Sequence, residues 1–170
     1  PVDQVVMMYY LASRGGVLVH AAAMVAEGQA LLFPGVSGAG KSTLTKSLSK
    51  DGWGDLLSDD RVLVREAGDG YLAYGTPWPG EAGVARNRLA PLRAILFPAR
   101  AEATRITPLT PRAALERMMP GISLLWHETE LLPLQLALCE RLLTGIPAFE
   151  LAWSPQRGVL ADVLEFLHRL

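Results

Sequence analysis

Residues Gly35 to Ser42 read GVSGAGKS and satisfy the pattern G-x-x-x-x-G-K-[ST] at every constrained position. This pattern constrains the fold because it needs a particular setting, a buried strand before it and a helix after it. Both are present. Ala30-Leu31-Leu32-Phe33 is a short apolar run suited to a strand, and Thr43 to Lys50 places Leu44 and Leu48 four residues apart on one helix face. The glycines have a physical role, since a loop whose N–H groups curl around phosphate oxygens has no room for Cβ atoms at Gly35, Gly38 and Gly40. Val36, Ser37 and Ala39 contribute backbone to the same cradle, and Lys41 supplies a point charge for the outer phosphates. Ser42, with Thr43 behind it, offers a hydroxyl to Mg²⁺ at a helix N-terminus. The expected ligand is a nucleoside triphosphate with Mg²⁺.

Composition narrows the class. A chain of 170 residues with 50% hydrophobic content is expected to fold as one well-packed α/β domain over 1–170, and the opening on Pro1 suits the C-terminal part of a longer chain. Net charge is −1, with three lysines and thirteen arginines and no basic block, which argues against a nucleic-acid partner. No apolar stretch reaches the roughly 18 residues of a membrane span, and no signal peptide is visible, so no membrane partner is expected. The single cysteine, Cys139, has no internal partner for a disulfide and fits a reducing cytoplasm.

Along the chain, Asp3 can cap a helix carrying Val6, Tyr9 and Tyr10 that Gly15-Gly16 ends. Val17 to Ala26 reads as a strand that turns at Glu27-Gly28-Gln29 into the strand feeding the glycine loop. Gly52-Trp53-Gly54 breaks the chain after the loop helix, and Asp55 to Ser58 reads as a further strand ending in Asp59-Asp60. Arg61 to Glu66 and Tyr71 to Tyr74 form a hairpin, Gly75 to Asn87 a long loop, and Leu92 to Phe97 a strand. Thr110-Pro111 opens a helix, Glu128 to Thr144 forms another, and Phe149 to Ala152 is a short strand. Ser154-Pro155 opens a last helix with an apolar stripe of Val159, Val163, Phe166 and Leu167.

A phosphate loop alone does not name a reaction. One strand-end carboxylate is enough to hold the metal's water shell, whereas here Asp59 and Asp60 stand together, so one can face the metal and the other an incoming hydroxyl. His20, fifteen residues before Gly35, lies in the strand antiparallel to the one entering the loop. Its own surroundings assign it no role, since a lone strand histidine is as a rule an ordinary half-buried residue.

The run from His20 to Gly35, then GVSGAGKS, then Gly52 and Ser58-Asp59-Asp60-Arg61, resembles the catalytic domain of bacterial HPr kinase/phosphorylase and its relatives. That family has a histidine at the same spacing before the phosphate loop, followed by a helix, a glycine and an Ala-Asp-Asp-Arg-like strand end. The resemblance implies the fold of the phosphoenolpyruvate carboxykinase-like kinases, a phosphate loop on a mixed sheet with flanking helices, and a serine kinase using ATP and Mg²⁺. Carried over by position, Lys41 and Ser42 bind phosphates and metal, Asp59 is the general base, Asp60 supports it or the metal, and His20 lies beside the reacting phosphate.

The resemblance covers His20 to Arg61 and fades beyond it. Where HPr kinases carry a Glu-x-Arg-Gly-Leu-Gly-like signature, this chain has Tyr74 to Glu81, and Glu81 is the candidate for the missing metal-binding carboxylate. Gln156-Arg157-Gly158 is similar to the family's proline-arginine-glycine loop, which makes Arg157 a candidate phosphate contact. These departures leave HPr itself in doubt as substrate and favour the diverse HPr-kinase-related proteins, some of which phosphorylate serine on a peptide or small metabolite. The expected partner is a serine-bearing protein, peptide or small molecule, with Trp78 and Glu81 of the long loop lining its site. The reverse, phosphorolytic reaction and assembly into a homo-oligomer stay open. An ATPase or regulatory nucleotide-binding module is the alternative.

Overall fold

The computed structural model describes residues 2–35, 41–50, 55–155 and 159–170, and only the backbone of 42, 49 and 50. The elements run α1 (Val2–Ala12), β1 (Gly16–Ala26), β2 (Gln29–Pro34), α2 (Lys41–Lys50), β3 (Asp55–Ser58), β4 (Arg61–Ala67) and β5 (Gly70–Gly75). They continue through β6 (Leu89–Arg100), β7 (Arg105–Pro108), α3 (Pro111–Met118), α4 (Leu131–Gly145), β8 (Ala148–Trp153) and α5 (Leu160–Arg169). The expectation of a mixed α/β architecture with flanking helices holds. The expected phosphate cradle, Val36, Ser37, Gly38, Ala39 and Gly40, lies outside the described residues, as do the break at 52–54 and Arg157.

Two long strands organise the sheet. β1 pairs antiparallel with β4 through Gly16 to His20, with β2 through Ala21 to Ala26, and with β3 through Ala23 to Val25. β6 pairs with β5 antiparallel, with β2 and β8 parallel, and β7 lies antiparallel against β8. Because β2 bridges β1 and β6 directly while β4 and β5 connect the same strands the other way, the pairings β1–β4–β5–β6–β2 close on themselves. The turn into β2 needs left-handed backbone at both central residues, and Glu27 (φ 51°) and Gly28 (φ 77°) supply it.

Side chains alternate across β1, so the strand feeds two cores. Val17, Val19, Ala21 and Ala23 pack with Met118, Leu138, Cys139 and Leu142 of α3 and α4. Ala22, Met24 and Ala26 pack with Leu44 and Leu48 of α2, Val163 and Leu167 of α5, and Phe33 and Trp153. With both faces covered, β1 and β2 are almost continuously apolar, as strands buried on two sides must be. Each fully buried Phe33 or Leu31 contributes about 1.5–3 kcal/mol relative to exposure.

Four element assignments change. The helix expected from Glu128 begins at Leu131, which puts Pro133 in the first turn, where its missing N–H is not needed by the helix ladder. The last helix begins at Leu160 rather than at Ser154-Pro155, because β8 stays paired with Arg100 through Trp153 and a residue before proline favours extended backbone. β7 went unseen in the sequence. Its Arg105-Ile-Thr-Pro108 stretch has no apolar alternation, and pairing with β8 makes it a strand. β6 also runs longer than Leu92 to Phe97, through Pro91 and Pro98.

Candidate active site

The site grows from the end of the β1–β2 ladder. Ala21 pairs with Pro34, the last residue of β2, so His20 stands where β2 stops and the glycine-rich segment starts, and its carbonyl accepts the Gly35 N–H at 3.4 Å. On the other edge His20 pairs with Arg61, the first residue of β4. The chain leaves β3 at Ser58 and enters β4 at Arg61, so the two residues between them, Asp59 and Asp60, turn beside His20.

Ser58 shapes that turn. Its fully buried hydroxyl oxygen accepts the N–H groups of Asp60 (3.4 Å) and Arg61 (3.3 Å), a side-chain-to-backbone arrangement that favours turns. The two aspartates therefore diverge. Asp60 Oδ1 lies 3.0 Å from His20 Nε2, and Oδ2 lies 3.4 Å from Arg61 Nε. Asp59 is buried and faces the 76–84 loop, where Oδ1 accepts the N–H groups of Gly80 (2.9 Å) and Val84 (3.2 Å) and Oδ2 that of Ala82 (2.6 Å).

Lys41 opens α2 and is buried, with its ammonium donating to the Gly35 carbonyl. Burial holds its pKa below the ordinary lysine value, Arg61 adds to the depression, and Asp60 opposes it. Burial likewise lowers His20, with Lys41 and Arg61 reinforcing and Asp60 opposing. These influences are those of a close group of four: His20, Lys41, Asp60 and Arg61. It sets two fixed cations against one carboxylate. Arg61 Nε is buried and makes no hydrogen bond among the described residues; its one anionic neighbour among them is Asp60 Oδ2 at 3.4 Å.

The loop over the acidic pair is tied at several points. The Thr76 hydroxyl donates to the Arg61 carbonyl at 2.6 Å, and the Trp78 indole N–H donates to Asp3 of α1 at 2.7 Å. Gly80 passes so close that a methyl there would lie 3.0 Å from Asp59 Oδ2 and from the Asp60 Cβ.

The fold thus brings together three of the residues singled out from sequence, His20, Lys41 and Asp60, with Gly35 beside them. It directs Asp59, expected as the base, into the loop, where three N–H groups occupy its carboxylate. Glu81 is exposed, and among the described residues no group of three His, Cys, Asp or Glu side chains gathers as a metal site. Thr43 is exposed on α2, and the Ser42 side chain is outside the described set. Arg61, Ser58 and Gly80 were missed as site residues. The sequence signal for the first two was adjacency to the acidic pair, and for Gly80 the Pro79-Gly80 turn.

A family model, SynChlorMet cassette protein ScmC, matches residues 2–135, which include every residue of this group. The chain belongs to that family. Among solved structures, the Hpr(Ser) kinase/phosphatase from Coxiella burnetii is similar at 13% identity and a TM-score of 0.46, over 89% of this chain and 93% of that one. No curated protein matches the chain.

Proposed function

We propose that this protein is an ATP-dependent kinase that transfers the γ-phosphoryl group to a serine hydroxyl on a protein, peptide or small molecule. The observation that carries this reading is the His20–Asp60 pair standing with Lys41 at the end of the strand that runs into GVSGAGKS.

The residues present suit a nucleotide polyphosphate. Lys41 and Arg61 provide positive charge in a partly desolvated place, and the buried Arg61 Nε, though 3.4 Å from Asp60 Oδ2, makes no hydrogen bond among the described residues. Ser42 is the side chain that would hold Mg²⁺, which would neutralise phosphate charge there. The loop backbone from Gly35 to Gly40 would cradle the phosphates, as its glycine pattern implies.

In this reading Asp60, rather than Asp59, receives the proton. The acceptor oxygen forms its bond to the γ-phosphorus, the bond from that phosphorus to the bridging oxygen breaks, ADP leaves, and the acceptor's proton passes to the Asp60 carboxylate. His20, kept neutral by its lowered pKa, donates from Nε2 to Asp60 Oδ1 and fixes the carboxylate's orientation. Lys41 and Arg61 hold the charge that moves to the leaving oxygens. Asp59 folds the loop over the site instead of entering the reaction. The lone, buried Cys139 suits a reducing cytoplasm.

The test is a γ-labelled ATP assay against serine-bearing candidate acceptors encoded beside the gene. Label on an acceptor that disappears with Asp60→Asn supports the proposal. ATP hydrolysis with no labelled acceptor favours the ATPase alternative, and label transfer undiminished in Asp60→Asn removes Asp60 as base.

A further inference from the structure

Beside the acidic pair lies a cavity of about 500 Å³ whose lining is Gly75, Thr76, Pro77, Ala85, Arg86 and Asn87. Its two walls are the two ends of the loop that Asp59 gathers, and they join the backbone on either side of the acidic pair, Ala85 at Ser58 and Thr76 at Arg61. The near wall is fastened to the site, because Thr76 Oγ1 donates to the carbonyl of Arg61, the residue after Asp60.

The walls are stiff. Ala85 bridges to Ser58, Arg86 N–H donates to the Leu57 carbonyl at 3.0 Å, and Gly75 N–H donates to the Arg88 carbonyl at 2.9 Å. A methyl on Gly75 would overlap the Arg86 carbonyl oxygen and sit 2.7 Å from that of Leu57, so the segments touch backbone to backbone. A cavity held this way keeps its shape before a ligand arrives, which lowers the cost of binding.

Its chemistry has one sign. The lining residues include an arginine, an asparagine and a threonine but no aspartate or glutamate. Of the acids on neighbouring segments, Asp55 is paired with Arg88 and Asp59 is held by three loop N–H groups, while Glu81 is exposed on the loop. Arg86 is exposed and takes part in no ion pair among the described residues. A planar guanidinium with an adjacent amide recognises an oxyanion.

We infer that this cavity is the acceptor subsite and that the acceptor carries an oxyanion, a carboxylate or a phosphate ester, which Arg86 and Asn87 hold while the hydroxyl faces Asp60. Its role as an acceptor site rests on the phosphoryl-transfer reading; oxyanion binding at Arg86 does not. A neutral serine compound would lose the Arg86 contact and bind more weakly.

The experiment titrates ¹⁵N-labelled protein, without nucleotide, with N-acetyl-L-serine, glycerol 3-phosphate and the neutral N-acetyl-L-serinamide. The expected result is a set of amide shifts centred on Gly75, Thr76 and Ala85 to Asn87 with at least one anion. Binding of that anion should exceed that of serinamide by about tenfold or more and lose this margin in Arg86→Met. Response to the carboxylate or to the phosphate identifies the oxyanion. Equal binding of all three, no shift with either anion, or shifts centred elsewhere overturn the inference. Anion binding that persists while no acceptor is ever labelled by ATP would confirm the oxyanion site and remove the kinase reading. Transfer to an acceptor that is indifferent to Arg86→Met would do the reverse.

Discussion

The imidazole Nε2 of His20 stands 3.0 Å from Oδ1 of Asp60, and the two reach each other because Ala21 donates its N–H to the Asp60 carbonyl at 3.0 Å across the edge of β1. A strand histidine and a turn aspartate forty positions apart are thereby held at the point where β2 ends. Within the kinase reading, Asp60→Asn keeps the shape but cannot accept a proton. Transfer should fall by about 10²- to 10⁴-fold with nucleotide affinity largely retained. Single-turnover transfer and nucleotide titration measure the two separately.

Asp59→Asn should act on the loop. An amide in place of the buried carboxylate presents one oxygen to three N–H groups and turns an NH₂ toward donors, which costs about 1–3 kcal/mol. Limited proteolysis should then cut within 76–84 at a protease concentration that spares the parent. Equal resistance of the two proteins would contradict the anchoring role.

Stability should fall on mild acidification through His20. Its folded pKa is held below the ordinary 6.5, chiefly by burial and then by Lys41, so the unfolded chain takes up the proton first. The contribution is complete above 6.5 and is lost as pH drops through the lowered folded value. Urea unfolding of the parent and His20→Gln across this range should show a shallower pH slope for the variant, and identical slopes would refute the assignment.

Gly75→Ala should destabilise by about 1–3 kcal/mol or more, because the new methyl meets two backbone carbonyl oxygens that have nowhere to go. Gly70→Ala, at a position with open space within 4 Å, should stay within about 0.5 kcal/mol of the parent. Chemical denaturation of both variants checks the contrast.

Cys139 should resist alkylation in the native protein. Burial pushes its thiol up to about 11, so little thiolate forms at pH 8. Mass spectrometry after iodoacetamide treatment should find label only when denaturant is present, and rapid native labelling would show the α4 face opening.

Much of the fold was legible where local chemistry decides structure. The Glu27-Gly28 turn, the hairpin of β4 and β5, and the Thr110-Pro111 helix start each depend on residues within a few positions of one another. β7 was not legible, because Arg105 to Pro108 becomes a strand only through β8, some forty residues away. α4 starts at Leu131 rather than Glu128, in keeping with Pro133, whose ring is tolerated only near a helix's beginning.

The division at the site follows the same line. The sequence alone identifies a glycine-rich segment that fits a phosphate-loop pattern between a buried strand and a helix, since glycine spacing and apolar periodicity are local properties. It also marked Asp59 and Asp60 as a pair, but adjacent residues in a turn point in different directions that spacing cannot assign. Tertiary structure gives the two different partners. The buried Ser58 hydroxyl sets the turn, the backbone N–H groups of Gly80, Ala82 and Val84 claim Asp59, and the β1–β4 register presents Asp60 to His20. These partners come from strands and a loop distant in sequence, and only packing brings them within hydrogen-bonding range.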